Sequence, residues 1–503
     1  MKFKSLKKTL FAAVLSAALS SAALACTTIL VGSEATDDGS YLVARSVDYR
    51  AFYAEHMMNM PATKGVKGMF RAKDHGGSNA FEYPLPENGL SYTKVADFDT
   101  ELNGATGFNS AGVGMSATES IYASDHALKF DPYNEESGFL EEAVIDVVLP
   151  RIKSAKEGVE LVGRIIEQIG AGAGMGIAFV DNKELWYLET GTGHHWMAVK
   201  LPKDVYFASA NQGRLQTFKA GDPNYMSSKG MIEFAQKHGL YDPKKDGDFN
   251  FSKAFCRDDS RDRTYNDPRV YRIQKLLSPE LQLKSQEGRS FPVFAKPAEK
   301  VSPERLMTLM RDHYQDGDLA QHDPYSKGLR GDEPFRPISV FRTQCTHVMQ
   351  VRPDLPEAIG HVNFISMGMA DLGVYIPFYQ GLKAFPKDFS IGTDQADSDS
   401  AYWKFRKVQT LAMMDYPTLA PIVRERYAAY EADVTKRMEA FEADYLKVVK
   451  TDAKKADKML QDFNLKVIRD AQVVTEKLHN ELYSVATRSV QEKVFFKNAK
   501  KMD

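Results

Sequence analysis

Residues 26–49, CTTILVGSEATDDGSYLVARSVDY, contain two apolar segments separated by a polar stretch. The first segment, Cys26 to Gly32, is rich in β-branched and apolar residues and predicts a strand. The polar residues 37–40 predict a turn, and Tyr41 to Asp48 predict a second strand, so the stretch as a whole predicts a β-hairpin with a long loop. Because antiparallel strands run back along one another, the end of the second strand returns to the start of the first. Arg45 and Asp48 are therefore expected near Cys26.

The residues before Cys26 have the pattern of a secretory signal peptide. Four lysines among the first eight residues are followed by an apolar run over 9–21 and by the small-x-small triplet Ala23-Leu24-Ala25. The apolar run is too short for a membrane anchor, and no other stretch is long and apolar enough to span a bilayer. We therefore expect signal peptidase to remove residues 1–25, which predicts a secreted or periplasmic protein that begins at Cys26.

Three roles are open for Cys26 on this evidence. It is an ordinary strand residue if cleavage falls elsewhere. It is a lipid attachment site if the chain is a bacterial lipoprotein, although such signals place their leucine one position before Leu24. It is a catalytic nucleophile if cleavage leaves it at the N-terminus, because a thiol with a pKa near 8.5 then lies beside an amine with a pKa near 7.7–8.0. One residue would then supply both the nucleophile and its base, as an N-terminal threonine does.

Arg45 and Asp48 fit the third role. A guanidinium stabilises a thiolate, and a carboxylate holds an α-ammonium group in place. The same two residues also fit an ordinary surface ion pair, and their spacing does not decide between these readings.

The composition excludes several classes of protein. The 503 residues are 43% hydrophobic and 26% charged, which is typical of a soluble folded chain. Its 65 basic and 67 acidic residues leave a net charge of −2, so no overall field favours nucleic acid. Three cysteines are too few for a disulfide scaffold, and Cys256 and Cys345 are predicted to be buried thiols. The absence of an HExxH motif or a clustered Cys/His set predicts no metal site and argues against a zinc peptidase.

The rest of the chain predicts an α+β protein with antiparallel sheets and segregated helices. Helices are predicted over 138–152 and 155–169, and strands over 175–180, 185–189, 195–200 and 205–210. After Pro417, apolar residues recur every three or four positions in two long runs, which predict an antiparallel helical hairpin joined near Thr451-Asp452. We expect a signal peptide at 1–25, a catalytic domain at 26–416, a helical extension at 417–492 and a basic tail at 493–503. The hairpin packs on the catalytic domain or on a sister subunit, which leaves a homo-oligomer open.

Several segments, taken in order, are similar to one known family. Besides the run from residue 26, they are GVGMSATES at 112–120, SANQGRL at 209–215, YNDPRVYRIQKLLSP at 265–279, HVMQVRPDLPEAIGHVNFISMGMADLGVYIPFYQG at 347–381 and AYWKFRKVQTLA at 401–412. Together they resemble the cysteine dipeptidases of the N-terminal-nucleophile superfamily, of the dipeptidase D and secernin type, which are related to choloylglycine hydrolases and penicillin V acylases. The resemblance implies a four-layer αββα sandwich with the nucleophile at the start of a central strand.

The resemblance also implies roles for individual residues. Cys26 is the nucleophile and its α-amino group the general base, with Arg45 near the sulfur and Asp48 holding the amine. Asn211 directs its side-chain NH₂ at the developing oxyanion, and Arg269 neighbours the site.

The second oxyanion donor is expected near Thr118, as a backbone N–H. Glu119 is either a partner for a substrate ammonium group or an ordinary strand-end carboxylate.

The sequence thus predicts a secreted cysteine dipeptidase of broad specificity that acts on dipeptides through a thioester on Cys26, with no metal or organic cofactor. One alternative is an acyl-amide hydrolase of the bile-salt or penicillin acylase type. A further alternative is a lipid-anchored, non-enzymatic binding protein acylated at Cys26.

Overall fold

The computed structural model describes residues 25–72, 79–98, 101–285, 288–326 and 335–492. The predicted signal peptide, apart from Ala25, and the predicted basic tail lie outside the described residues. The strands are β1 (Ala25–Val31), β2 (Tyr41–Asp48), β3 (Glu55–Met60), β4 (Met69–Arg71), β5 (Glu82–Pro84), β6 (Tyr92–Asp97), β7 (Thr106–Phe108), β8 (Gly114–Ser120), β9 (Met175–Val180), β10 (Leu185–Thr190), β11 (Trp196–Lys200), β12 (Tyr206–Ser209), β13 (Tyr225–Ser227), β14 (Phe294–Ala295), β15 (Thr343–Val351), β16 (His361–Met367) and β17 (Ile376–Tyr379).

The α-helices differ widely in length, and the two longest come last. They are α1 (Asp125–Leu128), α2 (Glu141–Val148), α3 (Ala155–Ile169), α4 (Met231–Lys237), α5 (Pro243–Asp246), α6 (Phe251–Phe255), α7 (Ser260–Tyr265), α8 (Asp267–Leu277), α9 (Pro303–Met310), α10 (Glu357–Gly360), α11 (Ala401–Met414), α12 (Tyr416–Val449) and α13 (Ala453–Gln491).

The hairpin predicted from residues 26–49 is present. Strands β1 and β2 pair antiparallel, with Cys26 opposite Val47 and Ala25 opposite Asp48. The predicted bounds of β2, α3 and β9 are those of the structure. The helix predicted over 138–152 is too long: α2 ends at Val148, and a 3-10 turn containing Pro150 follows. Proline has no backbone N–H to continue an α-helical hydrogen-bond series, which explains the earlier end.

Two antiparallel sheets form the centre of the molecule. The first has the strand order β14-β12-β1-β2-β15-β16-β17, and the second has the order β13-β11-β10-β9-β8-β7. Their facing surfaces meet in one apolar core, to which β1 and β2 contribute Leu30 and Val43, while β9 and β10 contribute Val180 and Tyr187. The two sheets therefore pack face to face, and strand β1 lies in the interior of the first.

Helices cover both outer faces. On the second sheet, the apolar stripe of α3, including Val159 and Val162, packs against Phe179 and Trp196. The approach is close, since a Cβ atom on Gly163 would lie 2.1 Å from the Trp196 ring. On the first sheet, side chains of α9 and α11–α13 share a core with the outward-facing residues of β1 and β2. The layer order is αββα, which confirms the predicted α+β class and four-layer sandwich.

The predicted C-terminal hairpin is also confirmed. Helices α12 and α13 run antiparallel and are joined by residues 450–452, where the Asp452 side chain caps α13 by accepting from the Lys455 N–H at 2.9 Å. Helix α13 packs on α11 and on β17, so the hairpin extends the outer layer of the first sheet. Within the described ranges, no helix combines the length and apolar character that crossing a bilayer requires. The domain boundary at 416/417 stays a prediction.

A buried polar contact joins the two sheets beside Arg45. His347 on β15 lies opposite Arg45 in the strand register, and its Nε2 is 2.9 Å from the Ser116 hydroxyl of β8. Burial, followed by the neighbouring positive charge of Arg45, lowers the pKa of His347 well below its usual value. His347 is therefore neutral in the folded protein over the range in which an exposed histidine becomes charged.

Because His347 is neutral in the fold, the free energy of unfolding should decrease as the pH is lowered. The unfolded chain takes up a proton at His347 as the pH falls below about 6.5, whereas the folded chain does not. The contribution of this group to stability is therefore present above pH 6.5 and lost progressively below it, by up to about 2 kcal/mol at pH 5. Urea unfolding at pH 7 and pH 5 should show a smaller acid loss in His347→Gln than in the wild type. His126→Gln, at an exposed position, serves as the control, and an unchanged acid loss in His347→Gln would contradict the assignment.

Candidate active site

Three of the predicted site residues converge on Cys26 at the start of β1. Arg45 Nη2 on β2 lies 3.3 Å from the Cys26 sulfur. Asn211, which follows β12, accepts the Cys26 backbone N–H on its Oδ1 at 2.9 Å. Arg269 on α8 donates from Nη1 to the Cys26 carbonyl oxygen at 2.6 Å. These groups come from chain positions up to 243 residues apart, so the site is assembled by the tertiary structure around a single residue.

The guanidinium of Arg45 spans the space between the sheets. While Nη2 faces the sulfur, Nη1 donates to the carbonyl oxygens of Ala117 at 2.8 Å and Ala105 at 3.2 Å. Burial opposes the charge, but the attraction of the Cys26 sulfur and the hydrogen bond to it outweigh burial and raise the pKa of Arg45. Arg45 is therefore a permanent cation held against the sulfur, an environment that favours the reactive thiolate.

Asn211 is held in an unusual backbone conformation. Its φ of 56° lies in the left-handed region, which costs most residues about 1–2 kcal/mol but which asparagine adopts more readily. Its amide oxygen faces Cys26 and also accepts from Arg269 Nη2 at 3.0 Å, while Nδ2 donates to the Ser120 carbonyl at 3.0 Å. The predicted orientation had the NH₂ group facing the reacting carbonyl. The amide nitrogen carries two hydrogens, and one of them is donated to the Ser120 carbonyl. The second hydrogen is the one that would bind the oxyanion, so this role of Asn211 stays a prediction.

Arg269 links strand β1 to the segment that carries Asn211. Nη1 donates to the Cys26 carbonyl and, at 2.9 Å, to Thr27 Oγ1, while Nη2 reaches the Asn211 side chain. The side chain is fully buried, and burial followed by the charge of Arg336 lowers its pKa to about 10. It therefore remains charged at neutral pH, and its hydrogen bonds fix Cys26 and Asn211 relative to each other.

Asp48 lies at the end of β2, opposite Ala25. Its carboxylate accepts from Ser46 Oγ at 2.9 Å and from Thr343 Oγ1 at 2.6 Å, and it forms a fully buried ion pair with Arg336. The register places Asp48 beside the peptide bond that precedes Cys26, and its role in holding the amine stays a prediction. Sequence reasoning missed Arg336, which is 288 positions from Asp48 and belongs to no motif.

Tyr265 connects these arginines to one another. Its ring centre lies 5.3 Å from the guanidinium carbon of Arg269 and 5.2 Å from that of Arg336, and its hydroxyl accepts from Arg342. Cation–π contacts of this kind partly offset the cost of burying like charges together. Tyr265 could have been identified as a candidate site residue from the sequence, because it is the first residue of the segment YNDPRVYRIQKLLSP.

The predicted substrate-binding residues lie on β8 at an irregularity. Ala117 pairs with Ile177 and Glu119 with Gly176, so Thr118 is an extra residue in a β-bulge. A bulge removes a residue from the regular ladder and is common beside active sites. The side chains of Thr118 and Glu119 lie outside the described residues, so their roles in oxyanion and ammonium binding stay predictions.

The other two cysteines are buried and unbonded, as predicted. Burial raises the pKa of the thiols of Cys256 and Cys345, which makes both poor nucleophiles. In the described part of the chain, no group of three or more His, Cys, Asp or Glu side chains is arranged to hold a metal ion.

Comparison with known proteins shows the family of the chain. The model of peptidase family C69 matches residues 25–428, a range that begins one residue before Cys26. The chain belongs to peptidase family C69. It is 48% identical over 365 residues to a "Probable dipeptidase" of Salmonella dublin, covering 72% of this chain and 82% of the relative. Its identity to a "Probable dipeptidase" of Latilactobacillus sakei is 34% over 436 residues, covering 85% of this chain and 87% of the relative.

A "Dipeptidase" of Bifidobacterium longum (strain NCC 2705) is 30% identical over 419 residues, covering 77% of each chain. Among solved structures, penicillin V acylase from Agrobacterium tumefaciens has a TM-score of 0.32 and 12% identity, covering 71% of this chain and 86% of that one. As a member of family C69 the chain is a peptidase. The family resemblance is thereby confirmed, and the non-enzymatic alternative is set aside.

Removing the charge beside the sulfur should impair this peptidase. In Arg45→Gln the thiolate loses a charge-assisted hydrogen bond of about 1.5–3 kcal/mol, which corresponds to a loss of about 10- to 100-fold in kcat/KM for peptide hydrolysis. The pH at which activity appears should also move upwards. Arg164→Gln, at an exposed position on α3, is the matched control. Wild-type kcat/KM in Arg45→Gln would rule out an electrostatic role for Arg45.

Breaking the buried ion pair should destabilise the fold. Arg336→Met leaves Asp48 charged and buried, at a cost of about 3–5 kcal/mol in the free energy of unfolding. The double variant Asp48→Asn/Arg336→Met should recover part of this loss in urea unfolding. The exposed pair of Arg426 and Glu481 provides the control, because Arg426→Met removes only a solvent-screened ion pair and should lower the free energy of unfolding far less. Equal losses at the two positions would refute the assigned importance of the buried pair.

Proposed function

We propose that this peptidase is a dipeptidase that uses Cys26 as an N-terminal nucleophile. The observation that carries the proposal is the convergence of Arg45, Asn211 and Arg269 on the sulfur, the nitrogen and the carbonyl oxygen of this one residue. The printed names of the relatives support dipeptides as the substrate class. We extend this to broad specificity among dipeptides.

The proposed mechanism begins with maturation. Removal of the chain before Cys26 converts its backbone N–H, 2.9 Å from Asn211 Oδ1, into an α-amino group that the same oxygen holds. An amide nitrogen is not basic, whereas an α-amine with a pKa near 7.7–8.0 accepts the thiol proton near neutral pH. Maturation therefore creates the general base.

The thiolate then attacks the carbonyl carbon of the scissile peptide bond. The resulting oxyanion accepts hydrogen bonds from Asn211 Nδ2 and from the Thr118 backbone N–H, and a donor preorganised in this way is worth about 2.7–4 kcal/mol of barrier. The α-ammonium group of Cys26 protonates the leaving amine, and the C–N bond breaks to leave a thioester. A water molecule gives its proton to the α-amine and attacks the thioester, which releases the second product and restores the thiol.

We propose that signal peptidase performs this maturation during export, so that the enzyme acts in the periplasm or outside the cell. The pattern of residues 1–25 supports the proposal. N-terminal sequencing and intact-mass measurement of the protein from the extracytoplasmic fraction should give a chain that starts at an unmodified Cys26. A chain starting elsewhere, or a diacylglyceryl adduct on Cys26, would refute it.

The rival substrate class is an acyl amide, as in bile-salt or penicillin acylases. A panel of dipeptides assayed beside conjugated bile acids and penicillin V separates the two. Hydrolysis of several dipeptides supports the proposal, and activity confined to acyl amides would overturn it.

Replacing the nucleophile tests the chemistry directly. Cys26→Ala keeps the N-terminal amine and loses only the sulfur, so dipeptide hydrolysis should fall to the background rate while the urea unfolding midpoint stays close to that of the wild type. Cys256→Ala, which removes a buried thiol that has no role in the mechanism, should keep kcat within a few-fold. Retained turnover in Cys26→Ala would exclude the mechanism.

A further inference from the structure

The segment that follows β2 forms a compact group of aromatic rings around one arginine. The guanidinium carbon of Arg50 lies 5.0 Å from the ring centre of Tyr49, 5.2 Å from that of Tyr53 and 6.0 Å from that of Phe52. Arg50 Nη1 donates to the Tyr53 hydroxyl at 3.0 Å, and the Tyr53 ring in turn packs edge-on against Phe98 at 5.3 Å. The arginine is thus positioned by aromatic contacts and is half-buried.

The charge of Arg50 is not neutralised within the described part of the chain, where it forms no ion pair. Other arginines of the protein differ in this respect, since Arg336 pairs with Asp48 and Arg257 with Asp262. A guanidinium has five N–H donors in a planar fork that matches a carboxylate. One held among aromatic rings has lost part of its hydration, which strengthens its attraction for an anion.

Arg50 lies close to the nucleophile along the strand register. Strand β2 ends at Asp48, which is opposite Ala25, and Arg50 lies two residues beyond Asp48, so its backbone directly follows the end of the strand pair that holds Cys26. The Arg50 group therefore begins at the same end of the strand pair as Cys26.

The other cations around Cys26 already have partners. Arg45 donates to the sulfur and to two carbonyl oxygens. Arg269 donates to the Cys26 carbonyl oxygen and to the Asn211 side chain. In a dipeptide the terminal carboxylate lies one residue, about 3.5 Å, from the scissile carbonyl. A substrate whose carbonyl contacts the Cys26 sulfur must therefore place its negative charge within a few ångströms of the nucleophile.

We propose that Arg50 binds the C-terminal carboxylate of the substrate. This inference rests on the proposed dipeptidase function and assigns a specificity residue to it. The carboxylate receives two N–H groups from the guanidinium fork, and the rings of Tyr49, Phe52 and Tyr53 hold the fork in position. Substrates with a free carboxylate one residue beyond the scissile bond are thereby preferred to amidated or longer peptides.

The test compares a dipeptide with its own C-terminal amide in the mature enzyme. The wild type should hydrolyse the free acid with a kcat/KM about 10- to 100-fold above that of the amide, the range expected from a charge-assisted pair. In Arg50→Gln, kcat/KM for the free acid should fall by that factor, mainly through KM, while the value for the amide stays unchanged. Arg50→Lys, which keeps the charge without the fork, should keep part of the preference.

The free acid and its amide serve as each other's control, because damage to the fold lowers kcat/KM for both substrates. Arg164→Gln, on an exposed face of α3, should leave kcat/KM unchanged for both. Equal losses for both substrates in Arg50→Gln, or a wild type without preference for the acid, would overturn the assignment. A wild type that cleaves no dipeptide would instead refute the proposed function.

Discussion

The guanidinium of Arg45 is the contact on which the rest of the site depends. It occupies the space between the two sheets, with one nitrogen 3.3 Å from the Cys26 sulfur and the other bonded to two carbonyl oxygens of the facing sheet. A buried cation is tolerable only when each face meets an anion or an oriented dipole. The sandwich provides both, because β2 carries the arginine and the β7–β8 side carries the carbonyl groups. One side chain thus contacts the facing sheet and the Cys26 sulfur at the same time.

The other buried charged groups around Cys26 are also stabilised by polar partners. Arg269 fills the space between β1 and the Asn211 segment, and the pair of Asp48 and Arg336 closes the end of β2. Each group satisfies backbone or side-chain atoms that would otherwise be buried without a partner. The geometry around Cys26 is therefore tied to the stability of the core, since replacing any of these arginines leaves a buried polar group without its partner. Arg50 is different, because its surroundings are aromatic and its partner is proposed to be the substrate.

Much of the local structure could be predicted from patterns in the chain. The two apolar segments in 26–48 and the helical period in 155–169 each depend on neighbours within a few positions, and the structure has the predicted hairpin and helix. The end of α2 was missed, although Pro150 was visible, because the apolar period continues past it. Arg336 was missed for a different reason. Its partner Asp48 is 288 positions away, and no local pattern records a contact at that separation.

The sequence by itself determined the strand that begins at Cys26, the hairpin that returns Arg45 to it, and the family to which the chain belongs. These properties depend on short-range periodicity and on motifs whose residues are read directly. Only the tertiary structure decided which atoms meet: that the amide oxygen of Asn211 faces Cys26, that Asp48 pairs with Arg336, and that Arg50 lies among aromatic rings with no acidic partner in the described chain. Such contacts arise when distant segments pack together, and the orientation of a side chain depends on all of its neighbours at once.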